Sequence, residues 1–496
     1  MKPMSLIARR NQQPARPAAL RKTLFALLGG LSVQASAQNA PGTIVYNYVY
    51  DNNDNLTKIT DALGHVTQIG YDALNRRNTT TDPKQGVTQF GYDPLNHLTS
   101  VTDPRSLITT YGIDGLNNLN QLQSPDTGTT VNTYDAGGNL IKRTDAKQQT
   151  TQYSYDVLNR LASITYADNS SVTYTYDQGT NAIGRLSSIS DASGSISFTY
   201  DVGGRIVSET RIINVAAAPG GATTPASYTT AYGYDSAGRL ASVTYPSGRT
   251  IGYTRDPVGR ISQISSTRNN VTTVLVSQVQ YQPFGGVKSY VNSAGNPVTR
   301  GYDQSGRITS YTLNGQVHTL TYDGASNIIN TTDAATPANN TTYGYDPLDR
   351  LTSALTSSNS QGYSYDANGN RTGSTVNSSG NSYTIAPNSN QLQQISAAQT
   401  LVYSTDANGS ITNNGVNQYV YDARGRMSGA ITATDNVQYT INALGQRVQK
   451  VSGAGSTVFE YDIGGKLIGE VDTSGGSTRQ RDYIYLGDMP VAVVQM

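Results

Sequence analysis

Alternation carries the first message of this chain. In Thr151-Gln152-Tyr153-Ser154-Tyr155 polar and aromatic residues alternate, which places both rings on one face of a strand. Asp156-Val157-Leu158-Asn159 interrupts the pattern, and Arg160 to Tyr166 alternates again as a return strand. A second interruption at Ala167-Asp168-Asn169-Ser170 leads into Val172 to Tyr176 and the next Asp, Asp177. The pattern predicts two strands and two turns in every 21 residues. Asp51, Asp72, Asp93, Asp114, Asp135, Asp156 and Asp177 follow one another at that interval, so the chain reads as an array of one copied unit. Copies continue through Asp235, Asp303 and Asp422, with irregular insertions near 207–232 and 371–400 that read as loops on one continuous strip.

Turn chemistry supports the unit. An Asp that opens a turn accepts hydrogen bonds from backbone N–H groups two residues on. Three positions later the chain must enter the left-handed region, here expected as part of a four-residue hairpin loop. That position holds Asp54, Asn75, Asn96, Gly238, Gly306 and Gly425, with Ser326 as the weak member of the column. The repeat-turn residues are therefore Asp51, Asp72, Asp93, Asp135, Asp156, Asp235, Gly238, Asp303, Gly306, Asp422 and Gly425. Arg at the next position, as in Arg160 and Arg239, can reach back to the turn Asp. Such exposed pairs contribute only ~0–1 kcal/mol each.

Composition changes the picture in one respect, tyrosine. There are 35 Tyr against 5 Phe and no Trp, with 36% hydrophobic residues overall, below the ~45–50% usual for a globular domain. Tyr suits a sheet with little interior, its ring covering neighbours while the hydroxyl stays wet. Roughly twenty repeats give about 40 strands and, at ~4.8 Å each, a strip on the order of 190 Å wide. Rolled once, that strip makes an open ring roughly 60 Å across.

The start of the chain reads differently. Lys2, Arg9, Arg10, Arg16, Arg21 and Lys22 precede a short apolar run from Thr23 to Leu31, and Ala35-Ser36-Ala37 is a small-residue cleavage site. Residues 1–37 are expected to be a Sec signal peptide cut between Ala37 and Gln38, which directs a bacterial protein to the periplasm, cell surface or medium. Without the leader, 29 basic residues face 34 acidic ones, a net of −5, so no basic stripe invites nucleic acid. No membrane span is expected after signal removal, and the absence of Cys removes thiol catalysis and Cys-ligated metals.

Tyr234-Asp235-Ser236-Ala237-Gly238-Arg239-Leu240, Tyr302 to Ile308 and Tyr421 to Met427 resemble the signature of RHS/YD-repeat proteins. The resemblance covers residues 38–480, and Asp482 to Ala492 within 481–496 resembles the opening of the family's RHS-associated core, cut short at Met496. It implies an all-β fold: a continuous spiralling β-hairpin strip forming a partial shell or barrel, as in insecticidal toxin-complex shells and teneurins. In bacterial members a toxin follows the core and is released by an aspartyl self-cleavage motif. Arg255-Asp256-Pro257-Val258-Gly259 contains that motif's Asp-Pro-x-Gly string, yet it falls on an ordinary repeat turn and reads as one.

An array has no privileged residue, so the expected role is architectural. His65, His97 and His318 read as solvated turn and sheet positions, not metal ligands. Asp51-Asn52-Asn53-Asp54-Asn55 begins like an EF-hand loop but lacks its Gly and Glu, and Asp366 to Asn370 and Asp406 to Ser410 fall on the turn column. No Gly-x-Ser-x-Gly elbow is present. The expectation is an exported, non-enzymatic scaffold without metal or cofactor. Its partner would be a protein or cell-envelope polymer, a toxin or its delivery apparatus being one form. The alternative is an envelope- or carbohydrate-binding adhesin-like module.

Overall fold

The structure, a computed structural model, describes residues 45–496; the expected signal peptide and the Ala37–Gln38 junction lie outside the described residues. The described residues form 43 β-strands, most of five to seven residues, with two single-turn 3-10 segments. Each strand pairs antiparallel with its neighbour in the chain, as Val66–Tyr71 does with Leu56–Thr60 before it and Arg77–Thr81 after it. The first strand, Asn47–Tyr50, pairs only with Leu56–Thr60, so the sheet is a strip and not a closed barrel. The strip is cut once, into 33 and 10 strands. The cut falls at Tyr403: Leu401–Val402 pairs back with Leu392–Ser396, whereas Ser404–Thr405 pairs forward with Ile411–Asn413.

The insertions follow the same plan. Residues 206–234 form the longest hairpin, Ile206–Ala216 against Thr223–Tyr234, and 371–400 keeps three regular strands. The last residues add two more strands, Arg479–Leu486 and Met489–Gln495.

One sequence expectation needs correcting in scale. The strip does not make a single open ring, because it meets itself. Asp103 touches Asn368, and Arg249 touches Asp482, so one revolution takes about 23 strands. At ~4.8 Å per strand the circumference is about 110 Å and the diameter about 35 Å. Right-handed strand twist and a bulge at nearly every tyrosine-bearing strand end tighten the curve.

Packing is uneven along the strip. Fully buried apolar side chains begin at Val172 and concentrate in 189–290 and 430–486. The main core joins Tyr232, Val243, Ile251 and Ile264 of the first revolution to Ile468 and Ile484 of the second. A smaller one joins Ile213 to Val448 and Val458. Each fully buried side chain of this kind contributes roughly 1.5–3 kcal/mol, which the strip alone could not provide without its second layer of chain.

Candidate functional site, the seam between revolutions

The strip has two long edges, each a row of hairpin turns. On the tyrosine-aspartate edge one geometry recurs. At Asp51, Asp72, Asp93, Asp135, Asp156, Asp235, Asp303 and Asp422, Oδ1 accepts the N–H groups of the residues two and four later, at 2.8–3.0 Å. The left-handed position follows: φ is +76° at Gly238, +79° at Gly306, +73° at Gly425 and +75° even at Ser326. The loop is one residue shorter than expected. Asp72 N donates to Arg76 O and Asn75 N to Asp72 O, which makes a three-residue loop closed by a left-handed bulge residue. Asp256 has the same turn, accepting from Val258 N at 3.1 Å and Arg260 N at 2.8 Å.

The arginine after the turn acts in two directions. Arg76 Nε donates to Asp72 Oδ2 at 2.7 Å, while its Nη1 donates to Asp93 O of the next repeat at 2.9 Å and its guanidinium lies over Tyr92. Arg160 over Tyr176 and Arg350 over Tyr365 repeat the arrangement. The tyrosine hydroxyl is not left to water. Tyr92 OH donates to Arg77 O and Tyr176 OH to Leu161 O, each fifteen residues back. Ring and hydroxyl therefore bind each repeat to its predecessor. Backbone N–H donors, Arg239 N foremost, hold the Asp235 carboxyl below the usual carboxylate range.

The opposite edge carries the second turn of each unit, and its own Asp column adds to the sequence analysis. Its turns open on Asp61, Asp82, Asp103 and Asp145, ten residues after alternate-edge aspartates, and use the same double acceptance by Oδ1. A half-period search for Asp-x-[Lys/Arg] finds three of them, because Lys84, Arg105 and Lys147 stand two residues after the Asp. Those three cations sit at the turn tips.

Where the strip comes round, the tyrosine-aspartate edge of the second revolution lies on this opposite edge of the first. Lys84 meets Asp346 at 3.4 Å, Arg105 meets Asp366 at 3.4 Å and Lys147 meets Asp406 at 3.3 Å. Arg105 also donates to Ser389 O at 2.8 Å and Ala386 O at 2.7 Å. The Asp-x-Asn-Gly turns have a use here: Asn368 Nδ2 donates to Asp103 and Asn408 Nδ2 to Asp145, both at 2.6 Å. Gly409 sits so close to the facing turn that a Cβ would lie 2.3 Å from Asp126 O.

Further along, the seam changes character. Arg424 Nη1 donates to Asp191 Oδ2 at 3.0 Å, and Arg211 pairs with Glu209 and reaches Gln446. Gln449, fully buried, exchanges two hydrogen bonds with Ala216. Asp482, also fully buried, accepts from Ser247 Oγ and Arg249 Nε, each at 2.8 Å. Burial, helped by the charge of Asp482, pushes the Glu460 carboxyl up to about 8. The partner offset also changes, from about 262 residues at Lys84–Asp346 to about 233 at Arg249–Asp482. The offset is still 263 at Asp145–Asn408 and already 233 at Asp191–Arg424, so one hairpin of the first revolution between Asp145 and Asp191 has no counterpart in the second, just beyond the cut at Tyr403.

The histidines belong to turns and strands. His65 pairs with Asp61 at 2.9 Å, His97 with Asp93 at 2.8 Å, and His318 stacks on Tyr311. Among the described residues no group of three potential ligands is placed to hold a metal.

The Teneurin YD-shell description matches residues 296–462, and the RHS Repeat description matches six stretches between residues 50 and 272. The chain is an RHS/YD-repeat protein. No curated protein matches its sequence. Its fold is similar to part of a chain in the structure of the Photorhabdus luminescens Tc holotoxin pore, with a TM-score of 0.72 at 16% identity over 89% of this chain and 27% of that one. It is also similar to part of TcdB2-TccC3-TEV, with a TM-score of 0.74 at 16% identity over 89% of this chain and 28% of that one. TcdB2-TccC3 without its hypervariable C-terminal region gives a TM-score of 0.68 at 15% identity, over 91% and 27%. This YD-repeat chain thus spans little more than a quarter of those solved chains. No helix among its described residues is long and apolar enough to cross a membrane.

Proposed function

We propose that this YD-repeat chain is an exported scaffold, a length of curved wall that encloses or presents a protein partner. The observation that carries the reading is the seam. A strip whose returning edge is fastened to its earlier edge by turn-tip cations, Asp-Asn bonds and a shared core is built as a wall of more than one course. The similarity in fold to a Tc holotoxin structure supports reading the partner as a toxin component or its delivery apparatus. The role is architectural rather than catalytic.

Two experiments test it. Imaging the purified full chain by electron microscopy should show an open-ended wall with about 35 Å curvature diameter; a solid globule would refute the scaffold reading. N-terminal sequencing of protein recovered outside the cytoplasm should begin at Gln38, and an intact leader on all recovered protein would remove the export half of the proposal.

A further inference from the structure

Glu460, Gly469 and Asp482 stand directly opposite one another on three adjacent strands, so the three share one face of the sheet. The glycine makes room for the Glu460 carboxyl, which lies over it: a Cβ there would sit 2.4 Å from Glu460 Oε2. Both acids are buried, at 2% and 0% exposure. Asp482 spends Oδ2 on Ser247 and Arg249 of the first revolution, while its Oδ1 and both Glu460 oxygens have no partner. Three buried carboxyl oxygens without partners, on one face of the sheet, are costly unless something binds them.

A proton is sufficient. With both acids ionised, Arg249 balances one charge and leaves one bare; with Glu460 protonated the group is neutral, and a carboxyl O–H stands on the same sheet face as the free Oδ1 of Asp482. Other charges in the surroundings do not provide a second cation. Arg211 is paired with Glu209, Arg481 with Glu470, and Tyr228 and Tyr232 come from the facing hairpin as neutral phenols. Asp462 adds negative charge near Glu209.

We propose that Glu460 and Asp482 are a proton-sharing latch that locks the last hairpins of the strip onto the first revolution and releases them as pH rises. Neutral Glu460 can donate across Gly469 to Asp482, which in turn holds Ser247 and Arg249 in the first revolution. Loss of that proton leaves two carboxylates flanking one glycine with a single arginine, already bound to Asp482, to balance them, and the seam opens there. The sign follows from linkage. A folded-state carboxyl that keeps its proton above the unfolded value stabilises most at low pH, and that stabilisation is lost as pH rises toward about 8.

The test uses the full chain, wild type and Glu460→Gln, with Glu470→Gln as the control acid on the neighbouring strand. Hydrogen exchange of residues 467–486, corrected for intrinsic rate, should deprotect several-fold in the wild type and the control between about pH 5 and about pH 9. Glu460→Gln should stay flat across that window. An infrared band from a protonated carboxyl should persist at neutral pH and vanish in Glu460→Gln, a signature that a merely packed side chain would not give. Equal pH dependence in wild type and Glu460→Gln would overturn the latch. So would protection restored at high pH by calcium or magnesium and abolished by a chelator, since the gap would then hold a cation. If Glu460→Gln fails to fold, the infrared band of the wild type, present or absent at neutral pH, decides alone.

Discussion

The two halves of the seam join the same edges by different physics. From Lys84 to Lys147 the contact is between turn tips, polar and partly wet, and no apolar side chain of that first-revolution stretch is fully buried. From Asp191 to Arg249 the revolutions share a core, and the charges between them are sealed in. The first kind of contact is a row of weak, repeated units that tolerates loss of any one. The second concentrates its energy in a few groups that cannot be left unpaired. A wall with one soft and one hard stretch of seam has a defined place to open.

The sharpest way to break this contrast is to remove one acid from each half. Asp482→Ala leaves Arg249 buried without its carboxylate and should cost about 3–5 kcal/mol. Asp126→Ala removes the acceptor of Asn390 N and Nδ2 in the polar half and should cost about 1–2 kcal/mol. Local hydrogen exchange at 467–486 and at 386–396 would compare them, since an array this long does not unfold in one step. Equal losses would dissolve the distinction between the two halves.

Turn glycines sharpen it further. Gly409→Val adds a clash with Asp126 O to its positive-φ strain, whereas Gly425→Val, with open space around it, meets strain alone, about 1–2 kcal/mol. Gly238→Val on the free edge should resemble Gly425→Val, with Ala237→Val nearly neutral. Acid should act on the polar half first. Burial raises Asp346, but the Arg350 side chain and backbone donors outweigh it and hold the carboxyl at about 2, so its contribution is present above the ordinary carboxylate range and lost as pH falls toward 2. Scanning hydrogen exchange at 341–355 against 467–486 should show opposite pH trends. The smallest effect is Lys84→Ala, no more than ~1 kcal/mol and erased by high salt, as local hydrogen exchange at 341–355 at two ionic strengths would show.

Much of this was legible in the repeat. A period of 21 residues and the Gly/Asn column at positions such as Gly238 and Asn75 specify hairpins because few residues tolerate that backbone. The seam was not legible, for a physical reason. Lys84 and Asp346 are 262 residues apart, and nothing local in either turn tells which other turn it will meet. That pairing depends on curvature summed over some two dozen strands. Tyr92 was read as a wet hydroxyl for a related reason: its acceptor, Arg77 O, belongs to the preceding repeat, and a single unit considered alone does not contain it. Glu460 was passed over because its isolation appears only when Gly469 and Asp482 are aligned beside it.

The shift in partner offset from about 262 to about 233 residues has a consequence for how such chains can change length. Gaining or losing one hairpin leaves every strand correctly paired with its neighbours, so local folding would not register the change. The two courses would nevertheless slip by one tooth, like meshed racks, and Lys84 or Arg105 would face the wrong notch. One such slip is already accommodated, between the Asp145–Asn408 contact and the Asp191–Arg424 contact. Repeat number in this chain is therefore counted by the gearing between courses, and a clean deletion of a single repeat upstream of Lys84 should be far better tolerated than the same deletion between Asp191 and Arg249.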